Sequence, residues 1–403
     1  MPTSDLLINN KINNNTLNNR EEWLFATFLF LLSAPYFVWE RMYLYWISAF
    51  FFLAISIKHL RFKKNDIAIP IIILILCFYF QLKVVYNGRI ANINAIILVL
   101  FTTITLIPFF FLKSSSWYSI FKKYLLIFSI TLIPSIIQYS FSFFLNTGFS
   151  SNVIDTCPLN PGRSYNQFLF YVSLRQFGDF WNFGDLYRFF SYYDEPGVLG
   201  NVAMVLMYVE GYNLKRWYNI PIFIAGILSF SLLFYIATLL YILLFGKVKV
   251  KLIVGLIVFL MIMYAYNNSI LYEYVFKRFE IVDGKLVGDN RANKVFSDWF
   301  ENIKLEEYFF LGYEVGKKVE YAASYLYTMV LFGVIPNLLF FVLIINRAYK
   351  KLGLNKYFLL YSVIPFMIWY QRPFVWMPLY YFLMFVPLYC FYEQKNQKKL
   401  HNE

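Results

Sequence analysis

Apolar runs of helical length follow one another along most of this chain, separated by short basic segments and two long polar loops. A helix of about 20 apolar residues crosses the hydrocarbon core of a bilayer. The long loops fall at about residues 146–195 and 268–322. The pattern predicts an all-α, polytopic integral membrane protein with about 12 transmembrane helices and amphipathic helices in its long loops. The predicted spans are residues 22–39, 43–58, 67–84, 91–112, 121–145, 196–212, 218–230, 231–246, 252–268, 323–346, 356–371 and 374–392.

Residues 218–246 are apolar for long enough to form either one long helix or two short ones. One helix would move Lys247, Lys249 and Lys251 away from the cytoplasm, against the tendency of Lys and Arg to gather in cytoplasmic loops. We therefore predict two helices that meet near Ser229-Phe230-Ser231. Such short helices need not both cross the membrane, because a broken helix is tolerated where protein buries it.

The distribution of Lys and Arg predicts the orientation of the chain. Alternate loops carry isolated positive residues: Arg41, Lys83, Arg89 and Arg372. The other loops and the C-terminal tail are basic: Lys58, Arg61, Lys63, Lys64, Lys113, Lys122, Lys123, Lys215, Arg216, Lys247, Lys249, Lys251, Arg347, Lys350, Lys351, Lys356, Lys395, Lys398 and Lys399. We therefore expect both termini in the cytoplasm and both long loops on the opposite face.

Composition agrees with a membrane protein: 60% of residues are hydrophobic, 15% are charged and the mean hydropathy is +0.54. The net charge of +13 lies in short loops, so it does not indicate nucleic-acid binding. Three cysteines, of which Cys157 alone falls in a long loop, imply no disulfide framework. We expect residues 1–21 to be a disordered cytoplasmic tail without a cleavable signal, 22–392 a single transmembrane domain, and 393–403 a cytoplasmic tail.

The first long loop combines arginines, acids and many aromatic residues. Its basic residues are Arg163, Arg175 and Arg188, with no Lys. Arginine presents a planar fork of donors that suits pairs of phosphate oxygens. Aromatic residues such as Tyr192 and Tyr193 can stack on the apolar faces of sugars. The alternative is an aromatic belt on an amphipathic segment lying in the membrane plane.

The most motif-like stretch runs Arg188-Phe-Phe-Ser-Tyr-Tyr-Asp-Glu-Pro-Gly-Val-Leu-Gly200. Pro at the first position of a helix and acids just before it are typical of a helix start, so Asp194 and Glu195 are explained by capping. The functional alternative is that either acid acts as a general base or binds a sugar hydroxyl. Gly197 and Gly200 allow close approach of a ligand or a second helix.

The second long loop contains a predicted amphipathic helix over residues 289–310. Arg291 opens it, and Lys317 and Lys318 lie just before the next span. A solvated charged face explains most of these residues, while Arg291 at the helix start is also a candidate for phosphate binding. The apolar face of the helix consists of Val295, Phe296, Trp299, Phe300 and Ile303.

Several kinds of chemistry lack the residues they need. The two histidines, His59 and His401, both fall in predicted cytoplasmic segments, so the long loops offer no His-based metal cluster. No Walker A motif is present, which argues against ATP-driven work. The predicted spans carry almost no ionisable residues at their centres, which argues against an ion-coupled transporter.

The layout of many spans and two large loops resembles the bacterial O-antigen polymerase family and the related O-antigen ligases, from about residue 20 to 390. The specific features are Arg188 with Asp194-Glu195-Pro196-Gly197, the Leu-Ser-Phe-Ser run at 228–231, and Arg291 followed by Leu311-Gly312-Tyr313 and Ser324-Tyr325-Leu326. Ligases carry a loop histidine before a late span, and this chain has none there, which favours a polymerase.

The resemblance implies a glycosyltransferase of the bacterial inner membrane that needs no cofactor or metal. Its substrate would be an oligosaccharide repeat unit linked to undecaprenyl diphosphate in the lipid bilayer. A chain-length regulator protein is a candidate partner. Arg188 and Arg291 would bind the diphosphate, and Glu195 or Asp194 would serve the acceptor hydroxyl. Substrate contacts would come from Arg163, Arg175, Tyr192, Tyr193, Gly197 and Lys317. A polysaccharide flippase or other transporter, and a ligase, are the alternatives.

Overall fold

The computed structural model of the protein describes residues 17–62, 67–87, 93–145, 152–155, 164–174, 182–183, 186–253, 255–256, 263, 281–282, 285–286, 294–314, 319, 325–371, 375 and 377–402. These residues are mostly helical, with a few short strands. They form two compact units. Unit 1 comprises Met1–Thr131, Lys304–Val319 and Tyr325–Glu403, and unit 2 comprises Leu132–Ile303 and Glu320–Ser324.

Most helices fall within the predicted apolar runs, and two short ones lie in the second long loop. The helices are α1 (Asn19–Leu32), α2 (Tyr36–Trp39), α3 (Met42–Ile57), α4 (Ala68–Tyr86), α5 (Ile93–Ile104), α6 (Pro108–Phe111), α7 (Ser114–Leu145), α8 (Pro196–Glu210), α9 (Asn219–Leu228), α10 (Leu232–Phe245), α11 (Lys294–Glu301), α12 (Leu305–Tyr308), α13 (Tyr325–Phe332), α14 (Val334–Leu352), α15 (Lys356–Gln371) and α16 (Pro378–Asn402).

The two-helix prediction for residues 218–246 is confirmed, since α9 ends at Leu228 and α10 begins at Leu232. Other predicted helices are broken or displaced. The run at 22–39 divides into α1 and α2, with Ala34 at a φ of 50° between them. Helix α1 begins at Asn19, inside the predicted disordered tail, where Asn18 and Glu21 form a reciprocal capping box. Most of the predicted span 252–268 lies outside the described residues.

The predicted span at 323–346 is not one continuous helix. Helices α13 and α14 meet at Gly333 with a bend of 109°. Gly333 has a φ of 94°, a conformation that a residue with a side chain rarely adopts. The amide of Ile335, in the first turn after the bend, donates to the Phe309 carbonyl at 3.0 Å. The bend therefore depends on a contact with a segment that lies more than twenty residues earlier in the chain.

Twelve spans are not confirmed. Among the described residues, α4 and the Ser114–Phe141 part of α7 are long and apolar enough to cross a membrane. The bent pair α13–α14 would be a third span if the two helices are counted together. Helices α3, α8, α9 and α10 are apolar but shorter, with 10 to 16 residues each. The count of twelve therefore stays a prediction.

The all-α prediction is also wrong in the long loops, where short antiparallel strands occur. In the first loop, β1 (Asn152–Ile154), β2 (Tyr165–Gln167) and β3 (Val172–Leu174) form a sheet with β2 in the middle. Two hairpins follow, β4–β5 (Asn182–Phe183 and Leu186–Tyr187) and β6–β7 (Ile281–Val282 and Lys285–Leu286). The described part of the first loop thus contains strands where an amphipathic helix was expected.

The amphipathic helix predicted at 289–310 is shorter than expected. Helix α11 ends at Glu301, so Ile303 lies beyond it, and α12 is a separate helix. Phe296 is buried, with its ring centroid 5.8 Å from those of both Trp299 and Phe300. The apolar face of the predicted helix is therefore present over about two turns.

Several helices of unit 1 leave large apolar side chains exposed. In α3 these are Tyr43, Trp46, Ile47, Phe50 and Phe51, and Phe50 is 61% exposed. The spacing i, i+3, i+4, i+7, i+8 places them on one face. An exposed apolar face of this kind marks contact with lipid or with another protein.

The core of unit 1 is rich in aromatic rings. Phe80 of α4 lies 4.6 Å from Phe332, 5.4 Å from Phe340 and 5.5 Å from Trp369, measured between ring centroids. The same helix carries Tyr79 and Lys83 four residues apart on one face, and Asn87 caps its C-terminus four residues later. These side chains bind the carbonyls of Leu311, Tyr313 and Val319, respectively. Helix α4 therefore holds the segment that sets the bend at Gly333.

Candidate functional site

Six of the ten predicted site residues lie among the described residues, and all six fall in one short stretch of unit 2. They are Arg188, Tyr192, Tyr193, Asp194, Glu195 and Gly197. The other four, Arg163, Arg175, Arg291 and Lys317, lie outside the described residues. The candidate site can therefore be built from the start of α8 and the elements that pack on it.

Arg188 binds the connection between α9 and α10. Its Nε donates to the carbonyl of Ser229 at 3.0 Å, and its Nη2 donates to the carbonyl of Phe230 at 3.1 Å. These carbonyls directly follow the C-terminus of α9, the negative end of the helix dipole, where a cation is favoured. The next residue, Phe189, donates its amide to the Leu228 carbonyl at 3.0 Å. The guanidinium is thus held in a fixed place while remaining half-buried.

The backbone is strained on both sides of this contact. Phe230, whose carbonyl accepts from Arg188, has a φ of 49°, and Ser191 has a φ of 52°. Both values lie in the left-handed region, which is costly for residues other than glycine. The Ser191 carbonyl accepts from the amide of Val172, so β3 contacts the segment that leads into α8. Strained residues of this kind cluster at functional sites, where the surrounding structure enforces them.

Helix α8 approaches the same connection very closely at Gly200. A Cβ added at Gly200 would lie 2.2 Å from Ser231 Cβ and 3.0 Å from Ser229 Oγ. Glycine at this position therefore allows α8 to touch the Ser229–Ser231 connection. Three segments that the sequence motif singles out, Arg188, residues 194–200 and residues 228–231, come together around this point.

Asp194 and Glu195 are both buried at the start of α8, 1% and 3% exposed. Glu195 is the N-cap residue and Pro196 occupies the first turn, as the sequence predicts. The Glu195 side chain, however, makes no capping hydrogen bond to the helix amides. The helix dipole still favours a carboxylate here, but side-chain capping does not explain why this position is an acid.

Tyr192 and Tyr193 precede the acids and are buried, with ring centroids 5.3 Å apart and planes tilted by 60°. Because both rings are buried, they do not form the exposed surface for stacking on a sugar that the sequence suggested. Gly197 follows in the first turn of α8 and is also buried. All of these residues lie at or just before the N-terminus of α8, a helix that is buried along its whole length.

One residue of interest was not predicted from the sequence. Asn201 is 0% exposed, and neither its Oδ1 nor its Nδ2 has a hydrogen-bond partner within the described structure. The available signal was a polar residue in the apolar run Val198–Met207, which is weak without knowledge of its surroundings. Asn201 lies one helical turn after Gly197.

The arrangement combines a fixed guanidinium, two buried carboxylic groups and a buried amide around the start of one helix. A guanidinium can bind phosphate oxygens, and a carboxylate can accept a proton from a hydroxyl. An amide can donate to and accept from a polar substrate. Comparison of the chain with protein-family models, with curated proteins and with solved structures finds no match.

Proposed function

We propose that this protein is a membrane-embedded glycosyltransferase of the O-antigen polymerase type. It would transfer a growing glycan from undecaprenyl diphosphate onto the terminal sugar of another lipid-linked repeat unit. The observation that carries the proposal is the convergence of Arg188, the acids at the start of α8 and the Ser229–Ser231 connection within unit 2. These are segments through which the sequence resembles that family.

The proposal includes a location in the bacterial inner membrane with both termini in the cytoplasm. It is supported by the apolar helices α4 and α7 and by the exposed apolar face of α3. Phe and Ile side chains exposed at helical spacing are solvated by lipid tails at little cost. The full set of twelve spans and the extracytoplasmic position of the long loops belong to this proposal as well.

The reaction breaks the bond between the anomeric carbon of the growing chain and the diphosphate oxygen. A new bond forms from that carbon to a hydroxyl oxygen of the acceptor sugar. The hydroxyl proton passes to Glu195 or Asp194, and undecaprenyl diphosphate leaves with the bonding electron pair. Arg188 and Arg291 stabilise the charge that develops on the diphosphate, because fixed donors in a water-poor site act strongly on developing charge.

The remaining predicted residues have secondary roles in the proposal. Arg163, Arg175 and Lys317 provide further contacts to phosphate or sugar from the two long loops. Tyr192 and Tyr193 directly precede the acids and have a packing role, since both are buried. Gly197 is the position at which the acceptor would approach the first turn of α8 closely.

The deciding experiment uses purified protein in detergent with undecaprenyl-diphosphate-linked repeat units isolated from the host. We expect a product ladder spaced by one repeat unit, without added nucleotide. Absence of a ladder, with substrate that a known polymerase elongates, would overturn the proposal. Transfer to an added lipid A core acceptor would then indicate a ligase, and substrate translocation in vesicles would indicate a transporter.

Arg188 offers a test at the level of one side chain. Arg188→Lys keeps the charge but replaces the planar fork, so it cannot reproduce both carbonyl contacts and phosphate binding. We expect elongation to fall roughly 10- to 100-fold, with the protein still present in the membrane. Arg20→Lys, at an exposed position in the predicted cytoplasmic tail, is the matched control and should elongate normally. Normal elongation by both Arg188→Ala and Arg291→Ala would sink the site assignment.

A further inference from the structure

Asn201 carries a buried amide with unmet hydrogen-bonding capacity. Its side chain is 0% exposed, and both of its polar atoms are without a hydrogen-bond partner in the part of the chain that is described. Buried polar groups in proteins are nearly always paired, because burial without a partner costs free energy. A leucine of similar shape would avoid that cost, so an asparagine here requires another reason.

Two other buried asparagines show what a structural role looks like. Asn337 Nδ2 donates to the carbonyls of Thr328 and Gly333, at 3.1 and 2.6 Å. Asn219 Nδ2 donates to the Asn213 carbonyl at 2.9 Å. The Nδ2 of each of these amides ties one backbone segment to another, although the Oδ1 of each has no partner among the described residues. Neither Nδ2 nor Oδ1 of Asn201 makes such a tie there.

The position of Asn201 relates it to the proposed acceptor site. It lies on α8 six residues after Glu195 and one turn after Gly197, on the same face as that glycine. Gly197 places no side chain between the helix start and Asn201. A polar group that entered beside Gly197, one turn before Asn201, would meet the amide.

We propose that Asn201 binds the acceptor sugar. Its Nδ2 would donate to one sugar group and its Oδ1 would accept from the neighbouring one. Two adjacent hydroxyls, or a hydroxyl beside an acetamido group, would supply such a pair. The inference rests on the proposed function, because it assumes that a sugar enters this site. The inference assigns Asn201 to recognition of the neutral sugar, whereas Arg188 is assigned to the diphosphate. A buried water bonded to the amide is the alternative.

The first test separates ligand binding from a structural role by measuring thermal midpoints of the full-length protein in detergent without substrate. Asn201→Leu should unfold at or above the wild-type temperature, since it removes an unpaired buried amide. Asn337→Leu should unfold at a lower temperature, because it removes the side-chain amide that donates to the Thr328 and Gly333 carbonyls. A comparable decrease in Asn201→Leu would show a structural partner, or a structural water, and would overturn the inference.

The second test measures elongation with host-derived lipid-linked repeat units. Asn201→Leu should raise KM for the acceptor roughly 10- to 100-fold with a smaller change in kcat, because hydrogen bonds to the bound sugar are lost. Tyr208→Phe is the matched control. Tyr208 is on nearly the same face of α8, about 10 Å further from Glu195, and its buried hydroxyl likewise lacks a partner among described residues. This variant should elongate normally.

Binding provides a readout that does not depend on turnover. Lipid-linked repeat units should raise the thermal midpoint of the wild type more than bare undecaprenyl diphosphate does, and Asn201→Leu should abolish that difference. Equal stabilisation of wild type and Asn201→Leu, or wild-type elongation kinetics in Asn201→Leu, would overturn the role of Asn201 alone. A wild type that forms no ladder would instead overturn the proposed function on which this role rests.

Discussion

Glu210 and Arg216 form an ion pair whose two side chains differ sharply in exposure. The distance from Arg216 Nη1 to Glu210 Oε2 is 2.5 Å, with the Glu210 side chain 0% and the Arg216 side chain 45% exposed. Burial opposes the charge on Arg216, but the neighbouring Glu210 carboxylate outweighs it and raises the pKa of Arg216. The Glu210 carboxylate, at the end of α8, is buried and is therefore the group that needs the ion pair to remain charged at low cost.

Removing the arginine should cost more than removing a neighbouring exposed charge. We expect Arg216→Met to lower the free energy of unfolding by about 2 kcal/mol, since a buried carboxylate loses its cation while Arg216 itself is partly screened by solvent. Lys215→Met, next to it and exposed, should be nearly neutral. The double variant Glu210→Gln with Arg216→Met should recover most of the loss. Equal effects of Arg216→Met and Lys215→Met on denaturant unfolding would contradict this account.

At the scale of elements, the candidate site depends on the contact between α8 and the α9–α10 connection. Gly200 leaves room for Ser231, and Arg188 clamps the carbonyls of Ser229 and Phe230. The strained φ of Phe230 is maintained by these contacts. A change that separates α8 from the connection should therefore disturb the position of Arg188 as well as stability.

Gly200→Ala tests this packing directly. The new methyl group would overlap Ser231 Cβ, so we expect a loss of about 1–3 kcal/mol in stability and reduced elongation. Gly255→Ala is the matched control because no atom lies within 4 Å of its added Cβ. That variant should be neutral or slightly stabilised by the better helix propensity of alanine. Adding Ser231→Gly to Gly200→Ala should restore stability, and failure to do so would show that another contact sets the approach.

At the scale of the whole molecule, the proposal requires that the first long loop and the basic loops lie on opposite sides of a membrane. Asp155, in the first loop, and Lys350, at the end of α14, are both exposed. The two free cysteines among the described residues, Cys77 and Cys390, are buried. Introduced cysteines can therefore report sidedness once Cys157 is replaced by serine.

We expect a membrane-impermeant maleimide to label Asp155→Cys, in a Cys157→Ser background, on sealed spheroplasts. Lys350→Cys in the same background should be labelled only after the membrane is permeabilised. The Cys157→Ser protein alone should give the background signal. The reverse pattern would invert the orientation derived from Lys and Arg, and labelling of both cysteines on sealed cells would contradict a membrane between them.

The pattern of apolar residues was sufficient to locate most helices, because helix formation and burial of an apolar run are local properties of the chain. The predicted 67–84 corresponds to Ala68–Tyr86, and the division of residues 218–246 into two helices was correct. The motif at 188–200 likewise identified the start of α8, whereas its contact with residues 229–231 came only from the structure. The number of membrane spans, the chemistry and the roles of Arg163, Arg175, Arg291 and Lys317 stay predictions.

Contacts between distant segments decided the rest. The apolar run at 323–346 continues through Gly333 in the sequence, and its bend depends on Phe309 and on the face of α4 that holds Tyr313. The strands of the first loop pair residues that no helical or apolar period connects. Whether a buried amide is satisfied is likewise a property of its neighbours. Asparagine occurs at both 337 and 201 in apolar helices. Only the tertiary structure shows that Asn337 Nδ2 ties two segments together, while neither polar atom of Asn201 has a hydrogen-bond partner among the described residues.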